Sequence, residues 1–240
     1  MKKFLAIFCF LFATVTFAKE KDNVSLVPER TILIAGPIQG AMYQPTIGAM
    51  EKLAATGKDI DMIISSPGGE VIAGSLIIDY MEQLKFSGVR FRCVVRDVAA
   101  SMAFQILLHC NERHATPHSY LLWHPVRIFY RGALTGEMAS SLGVQLAIAD
   151  EVALHDLYAY LTMPEQDMLW HFTHETLHQA LTLMHSAPGF FTSITNSVIN
   201  LYPDKPALDT SAYGSLFGAN QLIYIHERFF AESVDSAGKK

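Results

Sequence analysis

Apolar residues along this chain repeat with two different periods, one suited to strands and one to helices. The run RTILIAG (30–36) is short, apolar and β-branched, and it stops at Gly36-Pro37 as a buried strand does. YQPTIGAMEKLAAT (43–56) then reads as a helix closed by Gly57. DIDMIIS (59–65) is a second strand, ended by Ser66-Pro67-Gly68-Gly69. Residues 70–86 place Val71, Ile72, Leu76, Ile77, Tyr80, Met81 and Leu84 at helical spacing. VRFRCVVRD (89–97) predicts a third strand, AASMAFQILLHC (99–110) a helix, SYLLWHP (119–125) a fourth strand, and 136–162 one long helix. Strands alternating with helices predict an α/β fold, with a mostly parallel sheet flanked by helices.

Both ends depart from this pattern. Lys2 and Lys3, the apolar run FLAIFCFLFATV and the small-residue site Thr16-Phe17-Ala18 read as a signal peptide over residues 1–18. The apolar run is short for a spanning helix, so a cleaved leader is expected over an uncleaved anchor, and export to the periplasm or the medium follows. From about 186 the pattern loosens, so 186–240 is an unassigned C-terminal extension. An apolar helix is expected in it near 218–231, before a polar, disordered tail, SVDSAGKK.

Composition narrows the function. Of 240 residues, 50% are hydrophobic and 17% charged, enough for a sizeable core. A net charge of −5 without a basic block argues against a nucleic-acid partner. Beyond the leader the chain keeps Cys93 and Cys110, one in mid-strand and one at a helix end. Spacing does not decide whether they pair, and two buried free thiols are the simpler expectation.

Two stretches carry chemistry. HETLH (174–178) has the His-Glu-x-x-His spacing that puts two imidazoles on one helical face around a zinc ion. A third ligand is not evident. His185 falls at the wrong spacing, Glu227 lies in no helper motif, and the region is rich in histidine anyway (His155, His171, His174, His178, His185). A solvated His-rich helix is the expectation, with no metal or other cofactor. The second stretch is AASMA (99–103). Ser101 follows a strand and opens a helix, where free N–H groups and the helix dipole favour developing negative charge. His124 ends the next strand, and neighbouring parallel strands bring their ends together. Gly68 and Gly69 offer backbone that a substrate carbonyl can approach closely.

ERTILIAGPI, DIDMIISSPGGEVIAGSLIIDYM, DVAASMAF and YLLWHP occur in the order, and at nearly the spacing, of a known family. From Val27 to about Gly132 the chain resembles the Clp protease proteolytic subunit family, related to crotonases and serine-type signal peptide peptidases. The resemblance implies a ClpP/crotonase-like fold of stacked βαβ units, with the peptidase domain over 27–185. It implies Ser101 as nucleophile, His124 as base, and an oxyanion hole from the N–H groups of Gly69 and Met102. Gly68, Glu70 and Val71 would line a groove that pairs with an extended peptide backbone. The family's acid follows the long helix. Asp167 is the aspartate nearest that place, with Glu175, a histidine or no third residue as alternatives.

The long helix corresponds to the family's handle. Apolar positions spread around it, from Met138 to Leu161, predict burial against its own domain or a partner, hence a homo-oligomer. Only KEKDNVSLVP separates the leader from the first core strand, too little for the family's ATPase-contacting loop, and an exported chain meets no ATP. The expectation is a peptidase without an ATPase partner, cutting peptides, unfolded chains or membrane-protein segments. Rival readings are an inactive scaffold, since Ala103 stands where the family has glycine, and a crotonase-like acyl-CoA enzyme.

Overall fold

A computed structural model describes residues 24–195, together with the backbone at 19–21 and 208–209. The leader before Lys19, the helix expected near 218–231 and the polar tail lie outside the described residues.

The chain runs β1 (Lys19–Lys21), β2 (Thr31–Ala35), α1 (Gly40–Ala54), β3 (Ile60–Ser66), α2 (Val71–Phe86), β4 (Phe91–Ala100) and α3 (Met102–Leu108). It continues through β5 (Glu112–Ala115), β6 (Tyr120–Leu122), α4 (Gly136–Tyr160), α5 (Glu165–His174), β7 (His178–Gln179), α6 (Ala180–Ser186), β8 (Ser193–Thr195) and β9 (Leu208–Asp209). The sheet order is β1-β8-β5-β4-β3-β2-β9, with β6 on β4 and β7 on β6. Every pairing is parallel except β6–β7. This is the α/β fold with a mostly parallel sheet that the alternating pattern predicts. β3 is buried along its whole length, as the continuous apolar run of a sheet covered on both faces requires.

Register is set partly by a buried charge. Asp61 of β3 is 1% exposed, receives two N–H bonds of 2.9 Å from Arg92 of β4, and accepts the Val27 N–H. A bidentate guanidinium satisfies a carboxylate that burial would otherwise penalise.

The longest strand, β4, serves two partners. Arg92–Val95 pair with β5, and Val98–Ala100 pair with β6. The strand therefore runs to Ala100, and the helix starts at Met102 rather than at 99. The sheet also continues past residue 185, because β8 hydrogen-bonds to β5.

Two expectations are corrected and a third is narrowed. Cys93 and Cys110 are not free thiols: they form a disulfide between β4 and the end of α3, with Cα atoms 6.0 Å apart. The long helix ends at Tyr160, and Leu157 is its fully buried residue, while Met138, Val144, Ile148 and Val152 are exposed. Its own domain covers only the C-terminal part, where Leu157 is buried and Ala153, Leu154 and Tyr160 pack against the core. HETLH is not one helix either. α5 stops at His174, Glu175 takes a left-handed conformation (φ 50°), and His178 is buried in β7. The two imidazoles therefore do not sit one turn apart on a helix. Among the described residues no group of three or more His, Cys, Asp or Glu side chains is arranged to hold a metal ion.

Candidate active site

The C-terminal ends of β2, β3, β4 and β6 converge, the place where open parallel sheets hold ligands. Ala100 is in register with Leu122, and the ladder continues one step further, since the Ser101 N–H donates to the Leu122 carbonyl at 2.8 Å. That step brings Ser101 level with the strand end that carries His124. Ser101 sits at φ 54°, ψ −125°, a conformation that costs a non-glycine residue about 1–3 kcal/mol. Bonds on both sides hold it there, because its carbonyl accepts the N–H groups of Phe104 and Gln105. The strained turn presents the side chain at the start of α3, where Met102 N–H is among the donors that a helix leaves unpaired.

The glycine loop is shaped by contact. A Cβ on Gly68 would lie 2.6 Å from the Ala100 carbonyl oxygen and from Ser101 Cβ, and 2.9 Å from the Met102 nitrogen. A Cβ on Gly69 would strike the Ile38 carbonyl oxygen at 2.0 Å. Ile38 pairs with Gly69 as an isolated parallel bridge, bonding the Gly68 carbonyl and the Glu70 N–H. In that pattern the N–H and C=O of Gly69 itself face away from Ile38, toward the open side.

Ser101, Met102, His124, Gly69 and Val71 line one cavity of about 600 Å³. His124 Nδ1 lies 2.6 Å from the Pro125 carbonyl oxygen. A carbonyl only accepts, so Nδ1 carries a proton, and in the neutral ring Nε2 then has the lone pair a general base needs. No hydrogen bond joins Ser101 to His124 among the described residues. Such bonds are often long before substrate binds.

The acids fall differently. Asp167 lies in the first turn of α5, exposed and outside the cavity lining. Glu175 forms an ion pair with Arg127, and Arg127 does line the cavity. Glu70 stands at the N-cap of α2, exposed beside Gly40.

Sequence reading missed the deeper wall of this cavity. Ser75, Ile78, Asp79 and Glu82 of α2 line it with Gln105 and His109 of α3 and Ala149, Val152, Ala153 and Asp156 of α4. The spacing from Val71 through Ser75, Asp79 and Glu82 is that of one helical face, a signal usable only once Val71 is known to face the groove. His109 is buried. Its Nδ1 lies 2.7 Å from Glu82 and its Nε2 3.3 Å from Asp156. Burial alone would lower its pKa, but the contacts with Asp156 and Glu82 outweigh burial and hold it above the ordinary histidine value.

Fold and site together define a crotonase-type α/β protein with a serine raised on a strained strand-to-helix turn beside a strand-end histidine. Residues 18–156 match the family model described as Clp protease, and the chain belongs to that family. The family is one of serine peptidases whose members generally assemble into oligomers.

Proposed function

We propose that this chain is an exported, ATP-independent serine endopeptidase that hydrolyses peptides, unfolded chains or membrane-protein segments. The observation that carries the reading is one cavity wall. It holds Ser101 on its strained turn, a His124 whose Nδ1–H is tied to a carbonyl, and Gly69 and Met102, whose backbone N–H groups are the proposed oxyanion hole. In this mechanism His124 Nε2 takes the Ser101 proton as Oγ attacks the scissile carbonyl. The two N–H groups stabilise the tetrahedral oxyanion, and His124 then protonates the leaving amine. Water repeats the cycle on the acyl-enzyme. The Pro125 carbonyl orients the imidazole, although a neutral oxygen stabilises an imidazolium less than a carboxylate does. Sequence position assigns the triad acid to Asp167, but Asp167 is exposed and outside the cavity lining, so Glu175, held beside the cavity by Arg127, is the stronger candidate.

Export is supported by the leader and by the Cys93–Cys110 disulfide, a bond that persists in oxidising compartments. Action outside the ATP pool leaves no unfoldase to feed the site, so substrates must arrive already extended. Strand-like pairing along the loop at Gly69–Val71 suits such chains. A homo-oligomer is supported by the exposed apolar residues of α4.

The unbonded Ser101–His124 pair favours a second reading, a scaffold without activity. Fluorophosphonate labelling of the protein separates the two. Labelling that is lost in Ser101→Ala and indifferent to a chelator is expected. Absence of labelling together with unchanged biological function of Ser101→Ala would establish the scaffold.

A further inference from the structure

The cavity that starts at Ser101 ends at charge. Along α2 its lining runs from Val71 through Ser75 and Ile78 to Asp79 and Glu82. Along α3 it runs from Met102 through Gln105 to His109, and along α4 from Ala149, Val152 and Ala153 to Asp156. At 1.5 Å per residue, His109 lies about 10 Å along its helix from the Ser101 turn. Apolar side chains therefore wall the near part, and polar and acidic ones the far part.

The charges there do not cancel. Lys85 Nζ donates to Glu82 at 2.7 Å, and His109 bridges Glu82 and Asp156. Arg127 at the mouth is matched by Glu175. Asp79 has no ion pair among the described residues, so even a protonated His109 leaves the wall at least one negative charge in excess. A second observation points to an occupant. Gln105 is 9% exposed and lines the cavity, yet its Oε1 has no hydrogen-bond partner among the described residues. A buried amide acceptor left unpaired costs free energy unless a donor reaches it.

We propose that this cavity is the subsite for the residue bearing the scissile carbonyl, and that it selects lysine or arginine there. The inference rests on the peptidase reading and gives it a substrate class. A basic residue fits the gradient of the wall. Its methylene stem lies against Val71, Met102, Ile78, Val152 and Ala153, and its cationic head reaches the acceptors beyond. Each N–H of that head is a donor, and Gln105 Oε1, Asp79 and Asp156 only accept. An acidic side chain would add to the excess negative charge. A purely aliphatic one would leave Gln105 and Asp79 unmatched.

The test uses binding, so it does not depend on turnover. Acetylated tripeptides ending in lysine, arginine, norleucine or glutamate are titrated calorimetrically into the full chain carrying Ser101→Ala. Norleucine keeps the stem and removes the charge. Lysine and arginine are expected to bind at least about tenfold more tightly than norleucine, with glutamate weakest. Adding Asp79→Asn, a change at an exposed position, should close most of that gap. Norleucine binding as well as lysine, or an unchanged gap in Asp79→Asn, would overturn the proposal. Fluorophosphonate labelling of the unmodified protein, run in parallel, judges the peptidase reading separately. A labelled protein without basic preference sinks only the subsite, and basic preference without labelling sinks the peptidase and with it the scissile-residue assignment, leaving a binding pocket for basic side chains.

Discussion

At the scale of single residues, the question is how little a serine–histidine pair needs. His124 has its tautomer set by the Pro125 carbonyl, so the orienting part of a triad acid's work is done by backbone. What remains for a carboxylate is to stabilise the imidazolium. Asp167 is exposed, where screening by water weakens any such effect, and Glu175 is drawn to Arg127 beside the cavity. Asp167→Asn is therefore expected to change kcat by less than about threefold, and Glu175→Gln to lower it by about tenfold or more, as loss of one stabilising charge contact does. Steady-state cleavage of an unstructured peptide by both variants checks this. A large loss in Asp167→Asn alone would restore the aspartate as the third member. That Ser101 and His124 stand at element ends was legible from sequence, because pattern breaks mark both places. The acid was not, because no periodicity marks it and its place depends on how α5 leaves α4.

At the scale of elements, α5 and β7 show what HETLH became. The chain turns at Glu175, and His178 enters β7, its ring stacked on Trp123 with centroids 4.5 Å apart and His171 against its edge at 4.5 Å. Burial, and after it the neighbouring His171, push the His178 pKa down to about 4. The sign follows from linkage. The folded protein keeps His178 neutral, whereas the unfolded chain binds a proton below about 6.5. This contribution is whole above pH 6.5 and is lost as pH falls from there through about 4, by up to about 3 kcal/mol. His109 works in the opposite sense, since its raised pKa favours the fold at low pH and that gain is lost as pH rises through the raised value. Comparison with His178→Phe isolates the first effect. Denaturant melts at pH 7 and pH 4.5 should show the parent losing about 2–3 kcal/mol more than the variant. Equal losses would mean that His178 is protonated in the fold. The histidine spacing was plain in sequence, but whether it lay on a helix was decided by the left-handed residue in its middle.

At the scale of the whole molecule, α4 is covered by its own domain only in part. Met138, Val144, Ile148 and Val152 are exposed together on it, a contiguous apolar arrangement that soluble monomers seldom keep. Members of the family generally form oligomers, and the homo-oligomer proposed above would cover this surface with a second copy of the chain. Ile148→Glu is expected to shift the protein to a smaller species in sedimentation velocity while its circular dichroism stays the same. An unchanged sedimentation coefficient would place the interface elsewhere.

The local pattern determined the strand–helix alternation, the parallel sheet and the glycine loop. Those features follow from side-chain periodicity and from φ angles that only particular residues tolerate, and both are written in neighbouring positions. Tertiary structure alone decided the rest. Cys93 and Cys110 pair because β4 and the end of α3 bring their Cα atoms to 6.0 Å. His178 is buried because β7 runs antiparallel beside β6. The acidic end of the cavity exists because α2, α3 and α4 come together around one space. Contacts between residues far apart in sequence carry no local signature, so they are settled only when the elements pack.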